Sequence, residues 1–159
     1  MSSSKRSDLV KAIGFAISRW QDAVETYDET VGAIYQLNSA ERRCLSFVNY
    51  GAQTSSAIAK DIALTPAAVT SLIDRLEARG FVNRKSDPND RRKVMVEAAE
   101  QTQKLVEAAY LPVFEAGSKL LSKYSLEEMK LIKRFTEEVT VMQQKLTEAL
   151  IANIPKKSK

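Results

Sequence analysis

Between Leu9 and Ile34 apolar residues recur in steps of three or four, at Leu9, Ile13, Ile17, Trp20, Val24, Tyr27, Val31 and Ile34, with Asp, Glu and Arg between them. This spacing predicts one long amphipathic helix ending near Tyr35. The elements that follow it are short, so its stripe needs a distant helix or another chain to cover it. A second long helix is predicted after Ser125, where Ser125 and Glu128 form a capping box ahead of Leu126, Met129, Ile132, Phe135, Val139, Met142, Leu146 and Leu150. A third, spanning positions 99–124, carries Leu105, Ala109, Val113, Ala116 and Leu120, and Pro112 inside it is expected to kink the axis at the preceding turn.

The middle of the chain has a different rhythm. Asn38 is an N-cap with Glu41 at the third helical position, and Leu45, Phe47 and Val48 follow until Gly51 stops the helix. Thr54 caps a shorter segment with Ile58 and Ile62. Thr65 and Pro66 form a strong helix start and Gly80 a strong stop, which delimits a helix over 66–79. The runs 81–85 and 93–97 are β-prone, and the turn-rich, charged stretch 86–92 between them makes a hairpin with a charged tip.

Three short helices followed by a hairpin describe a mainly α fold, a winged helix-turn-helix with long N- and C-terminal helices and a two-stranded β wing. The boundaries implied are 8–36 and 99–154 for a helical dimerisation region, 37–98 for the winged lobe, and flexible tails at 1–7 and 155–159. On the helix over 66–79, Val69, Leu72, Ile73 and Leu76 share an inward face, leaving Ala67, Thr70, Ser71, Asp74, Arg75 and Ala78 outward. Small side chains near its start allow close approach to base edges, hydroxyls and Arg75 can donate to bases or phosphates, and first-turn amides at 66–68 favour phosphate.

Composition narrows the chemistry. The 159 residues are 44% hydrophobic and 28% charged, with no histidine and one cysteine. A Cys/His zinc site, a Ser-His-Asp triad and a disulfide within one chain are thereby excluded, and carboxylates alone hold transition metals poorly. No cofactor and no enzymatic activity are expected. The lone Cys44, the lack of a signal-peptide pattern and the lack of a membrane-length apolar run point to the cytoplasm and away from a membrane. The net charge is +4, and between Thr65 and Lys93 seven basic residues stand against four acidic ones, so this segment supplies +3 of it.

The run from Leu64 to Arg84, followed by Asp87-Pro88-Asn89-Asp90-Arg91-Arg92 at matching spacing, resembles the MarR family of transcriptional regulators. Asn38-Ser39-Ala40-Glu41 is similar to the opening of that family's second helix, and the flanking helices are similar to its dimerisation arms. The resemblance implies an intertwined homodimer on a pseudopalindromic operator in double-stranded DNA, acting as a repressor. Thr65, Pro66, Ala67, Thr70, Ser71, Arg75, Arg84, Arg91 and Arg92 would contact DNA, with the helix over 66–79 in the major groove and Arg92 in the minor groove. Asp90 would orient a neighbouring arginine. Where many members place a large basic residue, this chain has Ser71, which shifts readout toward the wing and DNA shape.

The resemblance also implies release of DNA by a small aromatic or phenolic anion. Trp20, Tyr27, Phe47 and Tyr110, with Arg43 as anion partner, are the candidate ligand residues, and Arg19 and Phe114 are secondary ones. Cys44 lies in register with Leu37, Ala40, Phe47 and Val48, as a packed core residue would. The alternative is a helical interaction protein whose winged helix binds protein. The paired arginines at the hairpin tip speak against it.

Overall fold

The structure is a computed structural model that describes residues 2–87, 90 and 93–153. Helix α1 runs Ser2–Tyr35, so the tail expected at 1–7 is helical from Ser2 onward. It is followed by α2 (Ser39–Asn49), β1 (Gln53–Thr54), α3 (Ser55–Ile62), α4 (Pro66–Ala78), β2 (Val82–Ser86) and β3 (Val94–Ala98). The chain then continues through α5 (Glu100–Leu105), a π-helical turn at Val106–Tyr110, α6 (Leu111–Leu121) and α7 (Leu126–Ala152).

The caps form where the side chains supply them. The Asn38 side chain accepts from the Glu41 amide at 2.9 Å, while the Glu41 carboxylate accepts from the Asn38 amide at 3.0 Å. Thr54 and Thr65 cap α3 and α4 through the amides of Ala57 and Ala68. Helix α4 ends in a Schellman arrangement, in which Phe81 N–H donates to Leu76 O and Gly80 N–H to Glu77 O, both at 2.9 Å. Gly80 has φ of 73°, which a Cβ would strain.

The hairpin is shifted one residue from the runs expected in the sequence, because Phe81 forms the corner rather than the strand. Its carbonyl accepts from the Ala99 amide and from the hydroxyl of the buried Thr102. The sheet has a third strand that periodicity does not reveal. β1 is two residues long and pairs antiparallel with β3, Gln53 opposite Val96, giving the order β1-β3-β2. A two-residue strand carries no alternation to read.

Val69, Leu72, Ile73 and Leu76 of α4 are fully enclosed with Val48, Ile58, Val82 and Val96. Burying each such side chain contributes about 1.5–3 kcal/mol. Leu105 and Ala109 join the same core, and the compact units are Met1–Leu111 and Pro112–Lys159. The second unit holds α7 and nearly all of α6, with α7 capped by Ser125 and Glu128, and neither helix has a buried residue. The disturbance expected from Pro112 takes the form of the π turn just before it. Proline has no N–H and its ring crowds the carbonyl four residues back, and the wider turn, with Leu111 N–H donating to Val106 O, accommodates it.

The α1–α2 corner depends on Gly32. A Cβ there would lie 2.8 Å from Leu37 O and 3.0 Å from Arg42 Nε, and the Leu37 amide already donates to Gly32 O at 2.8 Å. Gly32→Ala is therefore expected to destabilise the fold by about 2 kcal/mol, read by denaturant titration, because overpacking displaces backbone as well as a side chain. An unchanged midpoint would contradict the close packing.

Cys44 is fully buried, and burial pushes its thiol up to about 11 from 9.0, with Asp61 and Glu41 adding in the same direction. The raised folded value means that this contribution to stability is complete below pH 9.0 and is lost as pH rises toward 11. Cys44 should resist a thiol-specific disulfide reagent at mildly alkaline pH until the chain unfolds, and Cys44→Ala should flatten the stability loss across that window. Rapid labelling of the native chain would count against it.

Candidate nucleic-acid interface

Because α4 turns its whole apolar face inward, Thr65, Pro66, Ala67, Thr70, Ser71, Asp74, Arg75 and Ala78 form an exposed ridge along its other side. The first turn offers less to an anion than the sequence suggests. Pro66 has no N–H and the Ala68 amide is taken by Thr65 Oγ1 at 3.3 Å, so Ala67 supplies the one open amide of the three. The Thr70 hydroxyl donates back to Pro66 O at 3.0 Å and keeps its lone pairs outward. Ser71 is exposed beside it.

Three arginines touch this helix and have different tasks. Arg84, a candidate for DNA contact, joins wing to helix in the free chain, with its amide on Glu77 Oε1 at 3.0 Å, Nη1 on Glu77 and Nη2 on Asp74 at 2.5 Å. It pairs with the two acids of α4. Arg79, at the end of α4, donates from Nη1 to Gln36 O at 2.9 Å and from Nη2 to Tyr35 O at 2.6 Å, and lies 5.0 Å above the Phe81 ring. These are the carbonyls of the last residue of α1 and of the residue that follows it, where the helix dipole favours a cation. Arg75 is half exposed and gives only Nε to a protein acceptor, Glu41 Oε1 at 3.1 Å.

At the wing, Lys85 pairs with Glu97 across the two strands. The Lys93 amide donates to Asp90 O and the Asp87 amide to Lys93 O, each at 2.9 Å, which closes the base of the tip. Arg92, the minor-groove candidate, and Arg91, the other DNA-contact candidate of the tip, lie outside the described residues.

Of the ligand candidates, the two tyrosines, Arg43 and Phe47 have partners within the chain and Trp20 lies exposed. Tyr27 and Tyr110 meet edge to face at 6.3 Å, but the Tyr27 hydroxyl donates to Ala109 O at 2.6 Å and the Tyr110 hydroxyl to Asp28 at 2.9 Å. Burial first, and the bond to Asp28 second, push the Tyr110 phenol up to about 12. Arg43 is tied to Asp61 O at 2.6 Å, which couples α2 to α3, and Phe47 packs against the core. Trp20 is 63% exposed on α1. Phe114, 72% exposed, belongs to the second unit. Glu41 was legible only as a cap, since nothing in a linear pattern pairs it with a residue 34 positions away.

Among the described residues no group of three or more Cys, Asp or Glu side chains is placed to hold a metal ion, and no single helix is long and apolar enough to cross a membrane.

The family model described as MarR family matches residues 43–94, from within α2 to the start of β3. The chain is 34% identical over 97 residues to YcgE of Bacillus subtilis (strain 168), named an uncharacterized HTH-type transcriptional regulator, across 60% of this chain and 63% of that relative's length. Among solved structures it is similar to a mutant of MepR from a multidrug resistant S. aureus clinical isolate, with a TM-score of 0.64, 20% identity, and coverage of 84% of this chain and 96% of that one. It is also similar to NadR in complex with 4-hydroxyphenylacetate, with a TM-score of 0.57, 21% identity, and coverage of 80% and 91%. Another S. aureus MepR mutant, bound to an oligodeoxyribonucleotide, gives a TM-score of 0.51 at 21% identity, covering 80% and 94%. The match over residues 43–94, the regulator relatives and the shared winged helix agree: residues 43–94 carry a MarR family domain, and the chain is similar to HTH-type transcriptional regulators over that part of its length.

Proposed function

We propose that the chain is a sequence-specific double-stranded DNA-binding regulator that acts in the cytoplasm as a homodimeric repressor on a pseudopalindromic operator. The observation that carries this reading is the polar ridge of α4. A helix whose apolar face is wholly enclosed leaves Thr65, Pro66, Ala67, Thr70, Ser71 and Arg75 together at the surface beside a basic wing. The likeness to DNA-bound MepR supports the same geometry. Helix α4 enters the major groove and the wing reaches the adjacent minor groove with Arg92, while Arg91 also contacts DNA and Asp90 orients a neighbouring arginine. The exposed apolar residues of α1, among them Leu9, Ile13, Trp20 and Ile34, and of α7, among them Phe135, Met142, Leu146 and Leu150, form the interface between copies.

Sedimentation should find a dimer with no folded monomer, and binding to duplex DNA should fall steeply with salt as condensed counterions are regained. Arg92→Ala should weaken that binding and flatten preference for A·T pairs at the flanks, while changes at Thr70 or Ser71 should alter preference within each half-site. A salt-independent affinity, or a stable helical monomer, would overturn the reading.

Release by a small aromatic anion belongs to this reading and takes support from NadR with its hydroxyphenylacetate. Trp20, Tyr27, Phe47, Arg43 and Tyr110 are its residues, and the anion would compete with Asp61 O for Arg43. An aromatic carboxylate that weakens DNA affinity tenfold must itself bind the DNA complex about tenfold more weakly, a coupling of about 1.4 kcal/mol. Titration of 4-hydroxyphenylacetate should perturb Trp20 fluorescence and release DNA. If it did neither at millimolar concentration, the ligand assignment would be wrong for this class.

A further inference from the structure

We propose that Glu41 is a positioning residue for Arg75, holding one edge of its guanidinium so that the other edge meets a DNA phosphate. The inference rests on the DNA-binding reading and adds to it a residue on a different helix from the one that enters the groove. Glu41 is 4% exposed, an unusual place for a carboxylate unless both oxygens are bonded. A capping box needs only one of them, and Oε2 serves it by accepting from the Asn38 amide. Oε1 is turned instead to Arg75 Nε at 3.1 Å.

The three arginines on α4 and the adjoining strand differ in what remains open. Arg79 and Arg84 both give Nη1 and Nη2 to protein acceptors. Arg75 gives only Nε, its side chain is half exposed, and its two terminal nitrogens have no acceptor among the described residues. A guanidinium gripped at Nε keeps a planar two-donor edge that suits a phosphate. Base edges are met by the N-terminal residues of a recognition helix, whereas Arg75 lies in the second half of α4, where the sugar-phosphate backbone passes. Holding the long side chain in place beforehand removes part of the ordering cost of binding.

The test uses the full chain and a labelled duplex that the wild-type protein selects from a random-sequence pool, followed by anisotropy across a salt series. Glu41→Gln leaves a single carbonyl oxygen for two donors, so Arg75 is released, and affinity should fall about five-fold. Arg75→Ala should fall further and lower the salt slope by about one per protomer. The double variant should match Arg75→Ala alone. If the two effects multiply, Glu41 acts only through the fold and the proposal is overturned. Should Glu41→Gln fail to fold, Arg75→Lys serves instead. A lysine has one nitrogen for Glu41 and phosphate together, so it should lose about as much as predicted for Glu41→Gln, and wild-type affinity would overturn the proposal. If the wild-type chain selects no duplex and shows no salt-dependent binding to random DNA, the functional reading itself fails and this one falls with it.

Discussion

Everything on the proposed DNA side follows from one constraint, the burial of four side chains on one face of α4. Val69, Leu72, Ile73 and Leu76 are almost completely enclosed, and a helix pinned by four apolar contacts on one face cannot rotate without exposing some of them. The opposite face is thereby fixed as the surface. Thr65 and Pro66 set where the helix begins, and the turn at Gly80 sets where it ends and sends Phe81 back toward Leu76. Ridge and wing are consequently joined through the corner at Gly80 and Phe81.

Charge is distributed around that helix in a way that a net count does not convey. The acids Asp74 and Glu77 would repel a polyanion from the middle of the ridge, and Arg84 reaches from β2 to bind both. A partly exposed ion pair contributes little to stability, so the larger consequence of this strut is on the surface potential and on the angle between wing and helix. Arg79 likewise serves the fold by closing the carbonyl end of α1. Three basic residues of the helix and first wing strand thus have separate tasks that a basic-patch argument would merge.

The parts legible in the sequence were those written locally. Caps at Asn38, Thr54, Thr65 and Ser125, the stop at Gly80 and the amphipathic stripes each depend on residues within a turn or two, and each appears in the structure. The two-residue strand β1 escaped because pairing with β3, rather than any alternation of its own, makes it a strand. The π turn was foreshadowed by Pro112 but not named by it. Among the site residues, the exposed row on α4 was legible from periodicity, whereas the commitments of Arg84, Arg43 and the two tyrosines were not. Their partners are acids on a neighbouring element, or backbone carbonyls, and a carbonyl leaves no mark in a sequence.

The same contacts tie α4 to the end of α1. Arg79 binds the carbonyls of Tyr35 and Gln36, Arg75 binds the residue that caps α2, and Arg42 packs over Gly32 in the corner between those helices. Gln36 sits in the left-handed region with φ of 52°, a conformation that persists because its surroundings hold it. A displacement at the end of α1 therefore reaches α4 through hydrogen bonds as well as through the core. Packed cores have few alternative arrangements and resist gradual deformation. Hydrogen bonds and core contacts therefore join α4 and the α1–α2 corner in one packed arrangement.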